Sequence, residues 1–131
     1  MSPEQRQPGI NKPCVLVVDD NVDAAESLAL ILEMSGYDTV CAFDGPSALD
    51  AAERCDPRAI VLDIGLPGMT GYEVAQKLRE HSRFRDTMII AVTGYGQDED
   101  RRKSAQAGFD QHLVKPVNPD VLQTYLARGR D

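Results

Sequence analysis

The sequence lacks the features that mark several large classes of protein. The net charge is −7 and no run of lysines or arginines occurs, which argues against a nucleic-acid-binding surface, because such a surface needs clustered basic side chains. No apolar stretch approaches the roughly 18 residues of a membrane span. Residues 1–13 contain three prolines and have neither the basic start nor the apolar core of a signal peptide. We therefore expect a cytoplasmic chain that contacts neither a membrane nor DNA directly.

Cysteine and catalytic motifs are also sparse. The three cysteines, Cys14, Cys41 and Cys55, are an odd number without metal-site spacing, and we expect partly buried thiols in a reducing compartment. The glycine-rich segment 65–71 lacks the G-x-x-x-x-G-K-[ST] pattern of a phosphate-binding loop. We find no Ser–His–Asp arrangement and no acid–base pair for an external substrate. These absences argue against a metabolic enzyme.

What the 131 residues do contain is a regular alternation of short apolar runs and segments of helical period, at the size of one domain. The predicted strands are 14–18, 39–43, 59–62, 88–92 and 112–114. The predicted helices are 22–35, one that begins at Gly45-Pro46, one that follows segment 65–71, 98–107 and 119–128. Alternating strands and helices indicate an α/β fold with a parallel sheet between two helix layers. We interpret 1–13 as a tail or linker, 14–128 as the domain and 129–131 as its end.

Polar residues with chemical capability stand at the carboxyl ends of four predicted strands. They are Asp19 and Asp20, Asp63, Thr93, and Lys115. In an open α/β sheet these strand ends face one crevice, where ligands bind. Three close carboxylates repel one another unless a cation joins them, and such oxygen ligands suit Mg²⁺. A carboxylate can attack phosphorus to give an acyl phosphate, and the amine and hydroxyl can stabilise the phosphoryl oxygens. The pattern predicts a phosphoryl-accepting aspartate.

Four motifs occur in order along the chain: Val-Val-Asp-Asp-Asn, Val-Leu-Asp-Ile-Gly-Leu-Pro-Gly-Met-Thr-Gly, Val-Thr-Gly and Leu-Val-Lys-Pro. Together they resemble the receiver domains of response regulators in two-component signal transduction, over residues of about 14–128. The resemblance implies a flavodoxin-like (βα)5 three-layer sandwich, with a parallel five-stranded sheet of order 2-1-3-4-5.

The resemblance also implies a role for each site residue. Asp63 matches the acceptor of a phosphoryl group from a histidine kinase or a histidine phosphotransfer protein. Asp20, Asp63 and the backbone carbonyl of Gly65 match direct Mg²⁺ ligands, while Asp19 matches an acid that reaches the metal through water. Lys115 matches the lysine that pairs with the phosphoryl group. The domain would assist its own phosphorylation and dephosphorylation without a separate substrate.

Other positions concern the readout of phosphorylation. Thr93 matches a switch hydroxyl that moves toward the phosphoryl group, and Pro116 matches the proline of a cis Lys-Pro bond. His112 stands where the family usually has Tyr or Phe. It is either the rotating switch residue or an exposed, uncoupled strand histidine. Gly65 and Tyr95 match positions that flank the path of the hydrolytic water. Glycine offers no shielding and a tyrosine ring hinders water, so we expect a long-lived phosphoryl group.

Three alternatives differ in what happens to the phosphoryl group. A free-standing regulator would change its preference for a downstream partner on the face of the fourth helix, fifth strand and fifth helix. A receiver module of a hybrid sensor histidine kinase would relay the group to a histidine phosphotransfer protein, and segment 93–102 looks like such receivers. A remote alternative is an aspartyl-phosphate hydrolase of the haloacid-dehalogenase type. That class has an acid two residues after its nucleophile, where this chain has Gly65.

Overall fold

The computed structural model describes residues 12–94 and 101–128. Its strands are β1 (Cys14–Val18), β2 (Asp38–Ala42), β3 (Ala59–Asp63), β4 (Met88–Thr93) and β5 (Gln111–Val114). Its helices are α1 (Val22–Met34), α2 (Gly45–Cys55), α3 (Gly71–Arg79), α4 (Arg101–Ala107) and α5 (Pro119–Arg128), with a 3-10 turn at Ser82–Phe84. The predicted alternation of strands and helices is confirmed. The predicted start of the fourth helix at residue 98, the tail 1–11 and Tyr95 lie outside the described residues.

The five strands form one parallel sheet in the order β2-β1-β3-β4-β5, as the resemblance implies. Every residue of the central strands β3 and β4 is buried. Strands covered by helices on both faces need apolar side chains at successive positions rather than at alternate ones. This explains the continuous apolar runs in the sequence.

Two apolar cores lie on the two faces of the sheet. Alternate residues of one strand point to opposite faces, so Leu16 packs with α2 and α3 while Val15 packs with α1 and α5. Each fully buried Val, Leu or Ile contributes about 1.5–3 kcal/mol of transfer free energy. The two cores hold the strand ends in a common register, which the site at the sheet edge requires.

Capping residues start the helices that follow the strands. The Asn21 side chain accepts a hydrogen bond from the Ala24 amide at 3.0 Å, at the start of α1. Thr70 and Glu73 form a reciprocal capping box at the start of α3. Such caps satisfy amide groups that have no partner inside the helix. These caps fix the residue at which each polar loop at the carboxyl edge of the sheet gives way to a helix.

A partly buried arginine joins α3 to the amino ends of β4 and β5. The guanidinium of Arg79 donates to the carbonyls of Thr87 at 2.7 Å and Gly108 at 2.9 Å, and it pairs with the Asp110 carboxylate at 2.8 Å. Asp110 also accepts from the Ile89 amide at 2.9 Å. This network, which sequence pattern does not predict, connects α3, β4 and β5 at the amino edge of the sheet. Within the described residues, no helix has both the length and the apolar character needed to cross a bilayer.

Candidate functional site

The structure brings the predicted polar residues to one edge of the sheet. Asp19 and Asp20 follow β1, Asp63 ends β3, Thr93 ends β4 and Lys115 follows β5. The edge is held by backbone hydrogen bonds beyond the strands, including one from the Lys115 amide to the Thr93 carbonyl at 2.7 Å. Because the strands are parallel and in register, residues far apart in sequence face a single crevice.

The carboxylate of Asp63 is held by both of its oxygens. Oδ1 accepts a hydrogen bond from the Gly65 amide at 2.8 Å, and Oδ2 accepts one from Lys115 Nζ at 2.9 Å. The side chain is only 7% exposed. A carboxylate fixed in this way loses little orientational freedom when it reacts, which favours its use as a nucleophile.

Lys115 bridges two carboxylates. Its Nζ lies 2.9 Å from Asp19 Oδ2 and 2.9 Å from Asp63 Oδ2. Burial alone would lower the pKa of Lys115, but the hydrogen bonds and charges of Asp19 and Asp63 outweigh it and raise the pKa. The side chain therefore remains a cation through the neutral pH range. It offers a fixed positive charge beside Asp63 Oδ2.

The acidic cluster fits a divalent cation. Asp19, Asp20 and Asp63 each place a carboxylate oxygen within 4.8 Å of the others. Three carboxylates against the single ammonium of Lys115 leave a local charge of −2 (three minus one). Asp20 is exposed, whereas the other two acids are buried. Oxygen-only donors with one side open to solvent suit Mg²⁺, which keeps several waters or phosphate oxygens in its coordination shell.

The predicted switch residues occupy different environments. Thr93 is buried at the end of β4. His112 lies on β5 opposite Ala91 of β4; its side chain is half-buried and both ring nitrogens are shielded from solvent. The interpretation of His112 as an exposed strand histidine is therefore wrong, and its role as a switch stays a prediction. The Lys115-Pro116 peptide bond is cis, as the resemblance implies.

Gly71 lies against the backbone of Asp63, a contact that sequence pattern did not predict. A Cβ at this position would lie 2.5 Å from the carbonyl oxygen of Asp63 and 2.7 Å from the Cα of Ile64. The Gly71 amide donates to the Ile64 carbonyl at 3.0 Å. The loop after β3 thus folds back directly onto the end of the strand. Its only sequence signal is the Met-Thr-Gly that ends the second motif.

A largely apolar groove of about 490 Å³ begins at the site and runs along α1. Its walls come from α1 and from the segment after β5, and they include Leu28, Ile31 and Val117; Asp19 and Lys115 line it as well. The helical period that predicts helix 22–35 gave no sign of a groove. The groove is an apolar surface that adjoins Asp19 and Lys115.

Comparisons with known proteins agree on one family. A family model described as the response regulator receiver domain matches residues 15–127. The chain is 40% identical over 117 residues to the probable transcriptional regulator ycf27 of Cyanophora paradoxa, a match that covers 89% of this chain and 48% of that protein. The chain therefore spans about half the length of this curated relative.

Solved structures give the same result. The Vibrio cholerae chemotaxis protein CheY4 matches with a TM-score of 0.84 and 31% identity, covering 91% of this chain and 99% of that one. The receiver domain of the Pseudomonas aeruginosa sensor histidine kinase PA1611, which has a magnesium ion in its active-site cleft, matches with a TM-score of 0.81 and 32% identity over 91% and 98% of the two chains.

Proposed function

The chain belongs to the family of response regulator receiver domains, which are phosphoacceptor modules of two-component signalling and not metabolic enzymes, and on this premise we propose that Asp63 is its acceptor. One observation carries the assignment. The Asp63 carboxylate is buried, held by the Gly65 amide and Lys115, and adjoins two further acids. Asp19 is held in a similar way, by the Asn21 amide at 2.9 Å and by Lys115. The position of Asp63 at the end of β3, in the motif that resembles the acceptor segment of receiver domains, distinguishes the two.

The residues around Asp63 have complementary parts in the reaction. An Asp63 oxygen attacks the phosphorus of a phosphohistidine; the P–N bond breaks and its electron pair returns to the imidazole. Lys115 holds its positive charge against the developing charge on the phosphoryl oxygens. A Mg²⁺ held by Asp20, Asp63 and the Gly65 carbonyl, and reached by Asp19 through water, would neutralise the acids and those oxygens. Self-catalysed phosphorylation and dephosphorylation belong to this proposal.

Phosphorylation would change partner preference by shifting a population of two states. Thr93 moves toward the phosphoryl group, and the half-buried ring of His112 responds to the space that is vacated. The face of α4, β5 and α5 then presents the output. Exposed apolar side chains of β5 and α5, Val114 at 50% and Val121 at 38% exposure, support its use by a protein partner. The long lifetime expected from Tyr95 concerns a residue outside the described part of the chain.

Two settings for this switch remain open. In one, residues 14–128 are a regulator that contacts a histidine kinase and a downstream target; in the other they are a module that passes the group to a histidine phosphotransfer protein. The match to a kinase receiver supports the second setting, and the match to a transcriptional regulator supports the first. The receiver-domain match decides against the aspartyl-phosphate hydrolase. The tail 1–13, the end 129–131 and the cytoplasmic location stay predictions.

Intact mass after incubation with acetyl phosphate and Mg²⁺ tests the assignment. The wild type should gain about 80 Da, one phosphoryl group on an activated carboxylate, and Asp63→Asn should gain nothing. Asp20→Asn and removal of Mg²⁺ with a chelator should each slow the gain strongly. Asp86→Asn, at an exposed acid near the opposite edge of the sheet, is the matched control and should behave as wild type. An adduct on Asp63→Asn would refute the assignment.

A further inference from the structure

Two cysteines that are distant in sequence meet at the amino edge of the sheet. Cys14 is the first residue of β1 and Cys55 is the last residue of α2. Asp56 ends the helix in a left-handed conformation with φ 48°, and the Arg58 amide then donates to the Cys14 carbonyl at 2.8 Å. This turn brings the end of the helix back beside the start of the strand.

The two side chains lie on facing surfaces. Cys14 shares the α2 face of the sheet with Leu16, because side chains two apart on a strand point the same way. Cys55 follows the buried Ala48 and Ala52 at helical spacing on the face of α2 that packs on the sheet. The Cys14 side chain is near enough to Cys55 to lower the pKa of its thiol, and both residues are half-buried. Because both residues are only half-buried, a small oxidant can reach the pair.

We propose that Cys14 and Cys55 form a peroxide-sensitive thiol pair that closes to a disulfide and fastens β1 to α2. The Cys55 thiolate attacks one oxygen of hydrogen peroxide; the O–O bond breaks, giving a sulfenic acid and, with a proton, water. The Cys14 sulfur then attacks the Cys55 sulfur, the S–O bond breaks, and hydroxide leaves with the thiol proton as water. Overall, two thiols lose two hydrogens and one peroxide becomes two waters.

The order of attack follows from the surroundings of each sulfur. The neighbouring Cys14 side chain lowers the pKa of Cys55 and the charge of Arg54 lowers it further, against smaller opposing effects of burial and of the charge of Asp56. At Cys41, burial and the charges of nearby glutamates raise the pKa. The thiolate is the reactive form. Cys55 therefore reacts first, and Cys41, whose thiol donates to the Ala25 carbonyl on the other face of the sheet, provides an internal control.

The thiol pair is separate from the phosphoacceptor. Cys14 is at the amino end of β1 and Asp63 is at the carboxyl end of the neighbouring β3. β1 has five residues, so at about 3.3 Å per residue the two edges are on the order of 15 Å apart. Oxidation should leave the acetyl-phosphate mass gain on Asp63 unchanged, so this inference does not depend on the acceptor assignment.

Non-reducing peptide mapping after peroxide treatment tests the proposal. Trypsin cuts after Arg54 and Arg58, which isolates Cys55 in a four-residue peptide, whereas no basic residue between Cys14 and Cys41 separates those two. The protein used is therefore Cys41→Ser, with native secondary structure checked by circular dichroism. The expected product has lost about 2 Da and two alkylatable thiols, contains the two peptides joined, and melts at a higher temperature than the reduced form.

Two variants decide the mechanism. Cys14→Ser should stop at a sulfenic acid on Cys55 that dimedone traps, and Cys55→Ser should lose at least tenfold in the rate of peroxide consumption. In wild type, Cys41 should be alkylated more slowly than Cys55 at neutral pH. Disulfides only between molecules, or oxidation of Cys41 as fast as Cys55, would overturn the proposal.

Discussion

Asp63 is held both by its side chain and by its backbone. The Gly65 amide and Lys115 Nζ fix the two carboxylate oxygens at 2.8 and 2.9 Å. From below, Gly71 packs against the Asp63 carbonyl so closely that a Cβ there would stand 2.5 Å away. The side-chain contacts fix the orientation of the Asp63 carboxylate, and the backbone contact fixes the position of the residue at the end of β3. The second of these constraints can be tested separately from the first.

Gly71→Ala should move the acceptor without removing any reactive group. We expect the rate of phosphorylation by acetyl phosphate to fall at least tenfold, because a shift of even 1 Å misplaces the attacking oxygen. The free energy of unfolding should drop by about 1–3 kcal/mol, the usual cost of forcing an extra carbon into a tight contact. Mass spectrometry gives the rate and urea unfolding gives the stability.

Gly68 provides the matched control on the same loop. Its φ is 76° and a Cβ there would meet no atom within 4 Å, so Gly68→Ala introduces backbone strain of about 1–2 kcal/mol without a clash. It should lower stability and leave the phosphorylation rate near that of wild type. Equal loss of rate in both variants would show that the rate follows loop stability and not the contact with Asp63.

At the scale of elements, the Arg79 network holds the connection between α3, β4 and β5. The two charged side chains of its ion pair are only 16% and 18% exposed. Removing one partner from a pair so poorly solvated leaves the other charge uncompensated. Exposed pairs behave differently because water screens them. The described residues include both kinds of pair: Arg79–Asp110 is poorly solvated, whereas Asp50–Arg54 is exposed.

Asp110→Asn should lower the free energy of unfolding by about 2–4 kcal/mol, since Arg79 would lose its charged acceptor in a partly buried site. Asp50→Asn should change it by less than about 0.5 kcal/mol, because Asp50 and Arg54 form an i,i+4 pair with side chains 67% and 68% exposed. Urea unfolding of both variants is the measurement. Similar losses in the two would mean that the Arg79 network adds nothing beyond an ordinary surface pair.

At the scale of the whole molecule, the groove along α1 and the acceptor form a continuous surface. A protein that delivers a phosphoryl group to Asp63 has to cover this edge, and the groove is an apolar surface that adjoins it. Ser27→Arg places a long charged side chain at an exposed position on its wall. We expect transfer from a histidine kinase that phosphorylates the wild type to slow at least tenfold, while labelling by acetyl phosphate stays unchanged.

Gln76→Arg, at an exposed position on α3, adds the same charge away from the groove and serves as the control. It should accept phosphoryl groups from both donors at the wild-type rate. If Ser27→Arg and Gln76→Arg slow the kinase equally, the effect is one of net charge. If neither slows it, the donor docks elsewhere.

The sheet and the site edge could be predicted because their signals are local. Buried parallel strands appear in the sequence as apolar runs, and the polar residue at the end of each run lies at the crevice. The bounds of β2 were less certain: an apolar Phe43 extended the predicted strand, but its side chain is 36% exposed and pairing with β1 shifts the strand to Asp38–Ala42.

Contacts across the fold left no local signal. Arg79 and Asp110 are 31 positions apart, and each taken alone is typical of a solvated surface residue. The Cys14–Cys55 contact depends on the turn after α2, and the Gly71 contact depends on how the loop returns to β3. Pairwise proximity of this kind is decided by packing, which periodicity does not encode. The expected state of the cysteines as partly buried thiols is confirmed.

The order of the strands in the chain affects when the acceptor becomes competent during synthesis. Asp63 and its ammonium partner Lys115 are 52 residues apart, and the latter follows the last strand of the sheet. A chain still emerging from the ribosome has the three acids before it has the cation that holds them together. We therefore expect a newly made chain to accept a phosphoryl group only after its final strand has docked.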